Sequence, residues 1–114
     1  MRRALPVVVA AATAFAAFAA PAATETLRNI KIGDNYFVRD GSVPTVTVSR
    51  NTRVKWLWRG NALHNVTVLR GPVKFHSISM QTGSYSKRMT RAGTYKIYCT
   101  IHGAADQSMT LKVK

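Results

Sequence analysis

The stretch Tyr95 to Val113 reads Y-K-I-Y-C-T-I-H-G-A-A-D-Q-S-M-T-L-K-V. A β-rich run delivers Cys99, the only cysteine of the chain. Two residues separate it from His102, a short polar loop follows, and an alternating run closes the segment with Met109, Leu111 and Val113. This pattern predicts two strands joined by a loop that carries a thiol and an imidazole. At that separation the two groups can converge on one small cation. His64, in N-A-L-H-N-V-T-V, supplies a second imidazole from another strand start.

Working back from this segment, short alternating runs recur between turns. Glu25 to Ile32 is a strand candidate with Ile30 and Ile32 on one face. Gly33-Asp34-Asn35 is a turn, and Tyr36-Phe37-Val38 a brief strand at an edge. Asp40-Gly41-Ser42 turns again before T-V-T-V-S, which places Val46 and Val48 on one face. Thr52 to Arg59 places Val54, Trp56 and Trp58 together, so both tryptophans are expected in the core. His64 opens the next strand, H-N-V-T-V-L-R, which Gly71-Pro72 ends. Val73 to Gly83 reads as an irregular crossing with Phe75 and Ile78 turned inward, and Tyr85 to Thr90 as a further strand. Seven or eight short strands with turns this frequent predict an all-β chain folded as an antiparallel β-sandwich.

The chain has 114 residues, and residues 1–23 read as an export signal rather than as part of the domain. Arg2 and Arg3 precede an apolar, alanine-rich run from Leu5 to Ala20, with several small residues where cleavage can fall, from position 19 to 24. A retained membrane anchor is the alternative, but Pro6 and Pro21 interrupt the stretch from Leu5 to Ala23 and the run is at the short end for a bilayer. Residues 24–114 then form one domain. The expected location is periplasmic, cell-wall-associated or secreted. Arg2 and Arg3 leave with the signal, which lowers the formal charge from +13 to +11. Such a surface favours an acidic docking partner and anionic cell-wall polymers or membrane surfaces. The basic residues are spread along the chain without a dense cluster or a nucleic-acid motif, so no nucleic-acid partner is expected. No hydrolytic triad or carboxylate pair points to an enzyme.

A lone thiol is a liability in an oxidising compartment and needs a reason. Burial as a small hydrophobe is one, and metal coordination is another. With His102 close by and His64 available, coordination is the stronger reading. One thiolate with two imidazoles suits a blue-copper site, in which the fourth ligand is weak and long. Zinc accepts the same atoms, but a structural zinc site wants a firm fourth ligand, and neither a second cysteine nor an H-x-x-H pattern supplies one. His76, between Phe75 and Ser77, is expected to be solvated or hydrogen-bonded rather than metal-bound.

W-L-W-R-G-N-A-L-H-N-V-T-V, G-T-Y-K-I-Y-C-T-I-H and the final M-T-L-K-V together resemble the small cupredoxins of the plastocyanin and pseudoazurin type. The resemblance runs from Ile30 to Val113 and is weakest between Val73 and Arg88. It implies a Greek-key sandwich and one copper ion, held by His64, Cys99 and His102, that cycles between Cu(I) and Cu(II). It implies that Asn65 braces the metal-binding loop, with Thr100 as its partner. It also implies an electron carrier that meets a redox protein through the exposed edge of His102, amid Gly103, Ala104 and Ala105. The departure is the axial position. Related loops place methionine five residues after the second histidine, where this chain has Gln107. Gln107 is the expected axial ligand, with Met109 as the alternative. A copper storage or delivery protein, and a wall-binding sandwich with no redox task, are the rival readings.

Overall fold

The computed structural model describes residues 26–37 and 44–114. The expected export signal, the boundary at residue 24 and the Asp40–Ser42 turn lie outside the described residues. Eight strands follow one another: β1 Leu27–Gly33, β2 Tyr36–Phe37, β3 Thr45–Val48, β4 Thr52–Trp58, β5 Thr67–Arg70, β6 Ser84–Met89, β7 Gly93–Tyr98 and β8 Ser108–Val113. They form two four-stranded sheets, ordered β2-β1-β4-β6 and β3-β8-β7-β5.

The two-residue period decides which side chains meet between the sheets. In β4 every second residue is buried, so Val54, Trp56 and Trp58 line the inner face. Ile30 and Ile32 of β1 join them because β1 lies beside β4 in register, Ile30 opposite Trp56 and Ile32 opposite Trp58. Tyr95 and Ile97 of β7, with Met109, Leu111 and Val113 of β8, form the facing layer. Burying a large apolar side chain contributes about 1.5–3 kcal/mol, so this shared layer is what holds the sheets together. Phe75 packs its ring against Trp56, Tyr85 and Tyr95 and closes one flank.

Three local details differ from the sequence expectation. Four strand pairs are antiparallel, but β1 runs parallel to β4 and β3 parallel to β8, so both sheets are mixed. The chain leaves the first sheet after β2, lays β3 in the second, and returns with β4 in the direction of β1. The strand expected from His64 begins only at Thr67. Before that, Val66 N–H donates to Ser77 Oγ at 2.9 Å, so a side chain takes the place of a ladder partner. Ile78 was expected inward and is 73% exposed. Ser77 is the residue that turns in, and its neighbour is carried outward.

Candidate metal centre

β7 ends at Tyr98 and presents Cys99 at the rim of the sandwich, fully buried. The loop from Cys99 to Gln107 is closed by backbone bonds. Cys99 N–H donates to Gln107 O at 3.1 Å, Gly103 N–H to Cys99 O at 2.9 Å, and Gln107 N–H to Gly103 O at 3.0 Å. Gly103 has φ +85°, a left-handed conformation that glycine adopts without a Cβ penalty. The fold-back sets His102 Nδ1 3.5 Å from Cys99 Sγ.

His64 arrives from the other side. Its backbone pairs with Met80 in both directions, N–H to Met80 O at 2.9 Å and O from Met80 N–H at 3.0 Å. Trp58 Nε1 also donates to His64 O at 3.1 Å. These contacts fix a ring that is fully buried and whose centroid is 4.9 Å from that of His102. One ligand atom from each of His64, Cys99 and His102 lies within 4.8 Å of the others. His64 and Cys99 are buried; His102 is the member that reaches solvent.

Gln107 stands beside this cluster with its amide orientation set by its neighbours. Nε2 donates to Gly33 O at 2.7 Å and to Tyr36 O at 3.2 Å. Both donors are therefore spent on the β1–β2 hairpin, and Oε1 faces His64 Nδ1 at 2.9 Å. Met109 lies deeper, in β8 opposite Ile97, as part of the apolar layer. His76 is outside the cluster. It is exposed, and its Nδ1–H donates to Ser77 O at 3.1 Å.

The hydrogen-bond valences around His64 test whether the residues fit a metal ion. Nε2 lies 3.0 Å from Asp34 Oδ1, and a carboxylate oxygen only accepts. With that N–H donated, the lone pair of Nδ1 faces the amide oxygen of Gln107, another acceptor. One proton cannot serve both contacts. A ring hydrogen on each nitrogen would satisfy both contacts, and so would a metal cation at Nδ1, which takes the imidazole nitrogen and the amide oxygen as ligands together. The donor set fits a metal ion bound by one sulfur, two imidazole nitrogens and one weak oxygen.

Asn65 binds the two ligand-bearing segments to each other. Its Nδ2 donates to Thr100 Oγ1 at 2.8 Å and to Ser79 Oγ at 3.1 Å. Its Oδ1 accepts Thr100 N–H at 3.1 Å and Thr67 Oγ1–H at 2.8 Å. All four positions of the carboxamide are used. Asp34 is the site residue that sequence reasoning missed. Its carboxyl is held below the usual carboxylate range, first by the N–H of Ala62, then by the His64 ring and the N–H of Asn61. The sequence offers only a G-D-N turn, thirty residues from His64, and nothing in that spacing signals the contact.

No family model matches the chain, and no curated protein does. Solved structures of amicyanin variants match its fold. A methionine-to-glutamine variant in the Cu(I) form has a TM-score of 0.64 at 25% identity, covering 77% of this chain and 82% of that one. A methionine-to-alanine variant, also Cu(I), reaches 0.65 at 24% identity over 82% and 87%. An oxidised methionine-to-leucine variant gives 0.64 at 24% over 76% and 81%. The fold is that of the cupredoxins, and the His64–Cys99–His102 cluster is typical of a type 1 copper site.

Proposed function

We propose that this chain is an exported type 1 copper protein that carries single electrons between redox partners. The convergence of one buried thiolate and two imidazoles beside an oriented amide oxygen carries the reading. His64, Cys99, His102 and Gln107 would hold one copper ion, which supplies a one-electron Cu(I)/Cu(II) couple when bound. Four protein groups fill such a sphere, whereas catalytic metal sites keep a position open for substrate. A carrier, rather than an enzyme, suits this arrangement.

The residues around the cluster divide the work. Burial of Cys99 shields the thiol from the oxidants of an extracytoplasmic compartment. The Asn65 carboxamide and the loop's backbone bonds keep Cys99 and His102 in place whichever oxidation state is present. His102 is the partly exposed member of the cluster and so lies between the interior and a partner. Exposed Ile101 and Leu63 flank the two histidines in sequence, and Gly103 and Ala104 add little bulk, so a partner can approach closely. The basic surface steers a partner with an acidic docking face and speeds encounter at low salt. The same charge favours anionic wall or membrane surfaces. The leader at residues 1–23 directs the chain to the periplasm, cell wall or medium.

The deciding experiment is the optical spectrum of the purified protein with Cu(II), compared with Cys99→Ser. An intense visible thiolate-to-copper band is expected in the wild type and absent from the variant. The reading fails if the band is absent from both or unaltered in Cys99→Ser.

A further inference from the structure

The turn between β1 and β2 lies against the metal cluster although none of its side chains is a ligand in the reading above. Asp34 Oδ1 accepts three hydrogen bonds: from Asn61 N–H at 2.8 Å, from Ala62 N–H at 2.9 Å, and from His64 Nε2 at 3.0 Å. The side chain is 48% exposed, yet the two backbone donors hold this oxygen still. Gly60 shows how closely the segments approach, since a Cβ there would lie 2.1 Å from the same oxygen. His64 itself is 0% exposed, so its Nε2–H depends on Asp34 rather than on bulk water.

We infer that Asp34 is a positioning residue of the copper centre: its carboxylate fixes the His64 ring with Nε2 protonated and Nδ1 turned to the metal, and makes that nitrogen a stronger donor. The inference rests on the copper reading. Its chemistry is that of a carboxylate bonded to the outer nitrogen of a ligating imidazole, which sets the tautomer and raises ligand basicity. The charge has a second effect. A fixed negative group near the metal stabilises the more positive oxidation state, so Asp34 favours Cu(II) over Cu(I).

The hairpin acts on the other side of the metal position as well. Gly33 O and Tyr36 O take both amide protons of Gln107, so the same turn directs the Gln107 oxygen and the His64 nitrogen toward each other. Asp34 alone contributes charge to this arrangement. That makes its role separable from loop capping, because asparagine keeps an acceptor oxygen for Asn61, Ala62 and His64 while removing the charge.

The test compares wild type, Asp34→Asn and Asp34→Ala loaded with copper. Cu(II) affinity is read by chelator competition, the reduction potential by voltammetry, and the site by its visible spectrum. Asp34→Asn is expected to keep the thiolate band, to lose Cu(II) affinity by about 10- to 100-fold, and to lose less for Cu(I). Each tenfold of that difference raises the potential by about 59 mV for one electron. Asp34→Ala, which also frees the loop, should lose more affinity. A folded Asp34→Asn with affinity and potential within about twofold and its electrochemical equivalent of wild type, about 18 mV, would leave Asp34 as a loop cap and overturn the inference alone. A wild type with no thiolate–copper band would overturn the copper reading and the inference together.

Discussion

Replacing Gln107 with Met alters two properties that can be measured separately. The first is the stability of the metal-free protein. Gln107 is 1% exposed, so water does not take over the acceptors it leaves. Gly33 O loses a donor at 2.7 Å and Tyr36 O one at 3.2 Å. A buried polar group left unsatisfied costs about 1–3 kcal/mol. The longer, partly buried contact counts for less, so a loss of about 2 kcal/mol is expected. For a domain of this size that lowers Tm by about 8–16 °C. The second property is the potential. An amide oxygen is a harder ligand than a thioether and favours Cu(II), so methionine should raise the potential, on the order of 60–120 mV if the preference shifts ten- to a hundredfold. Urea denaturation of the metal-free protein and voltammetry of the copper form give the two numbers. Met109→Leu is the control, since it nearly conserves volume in the apolar layer and should leave the spectrum and potential close to unchanged. An unmoved potential in Gln107→Met with a large shift in Met109→Leu would refute the assignment and make Met109 the axial ligand.

Asn65→Ala removes four hydrogen bonds, two of which, to the Thr100 N–H and Oγ1, join the two ligand-bearing segments. It should cost about 2–3 kcal/mol, with faster hydrogen exchange at Thr100 and Gly103 as the local check. Gly60→Ala would bring a Cβ within 2.1 Å of Asp34 Oδ1 and 2.9 Å of the Asp34 backbone nitrogen. About 1–3 kcal/mol of destabilisation should follow, and copper should pass faster to a chelator. Tyr95→Phe removes the hydroxyl donated to Arg91 O at 2.8 Å and should cost about 1 kcal/mol at neutral pH. Desolvation raises the Tyr95 phenol above its ordinary 10.0, with Arg91 opposing. Its contribution is therefore complete below the unfolded pKa and declines as pH rises through the folded one. Denaturation midpoints above pH 10 should fall less steeply in the Phe variant.

The legible parts of this molecule are those whose cause is local. The period of two in Thr52–Trp58 states directly that Val54, Trp56 and Trp58 share a face, because the pleat enforces it. Cys99 and His102 are joined by one short loop, so their nearness follows from spacing. His64 was legible by residue type, but not by the strand start expected there, since the ladder with β7 begins at Thr67 while Val66 bonds to Ser77 on the other side. Ile78 was misplaced because an irregular segment has no fixed period to give its phase. The parallel pairs β1–β4 and β3–β8 leave no mark in either strand's alternation, which records burial and not the direction of a neighbour. Asp34 was hidden for a related reason. A carboxylate in a turn is ordinary, and only closure of the sandwich brings it to His64.

The parallel pairing of β3 with β8 has a consequence for how the thiol survives. Thr45 meets Thr110, and Val48 meets Val113, each pair 65 residues apart in sequence. Contacts of such separation form late, and domains dominated by them fold in milliseconds to seconds rather than microseconds. The β7–β8 hairpin that carries Cys99 at its tip can form early, being local. Completing the sheet around that hairpin also needs β3, from much earlier in the chain. If the chain is exported as proposed, Cys99 stands on that hairpin in an oxidising compartment until the distant strands close. Under that proposal the speed of closure, alongside the stability of the folded state, bears on the fraction of chains that reach it with the thiol still reduced.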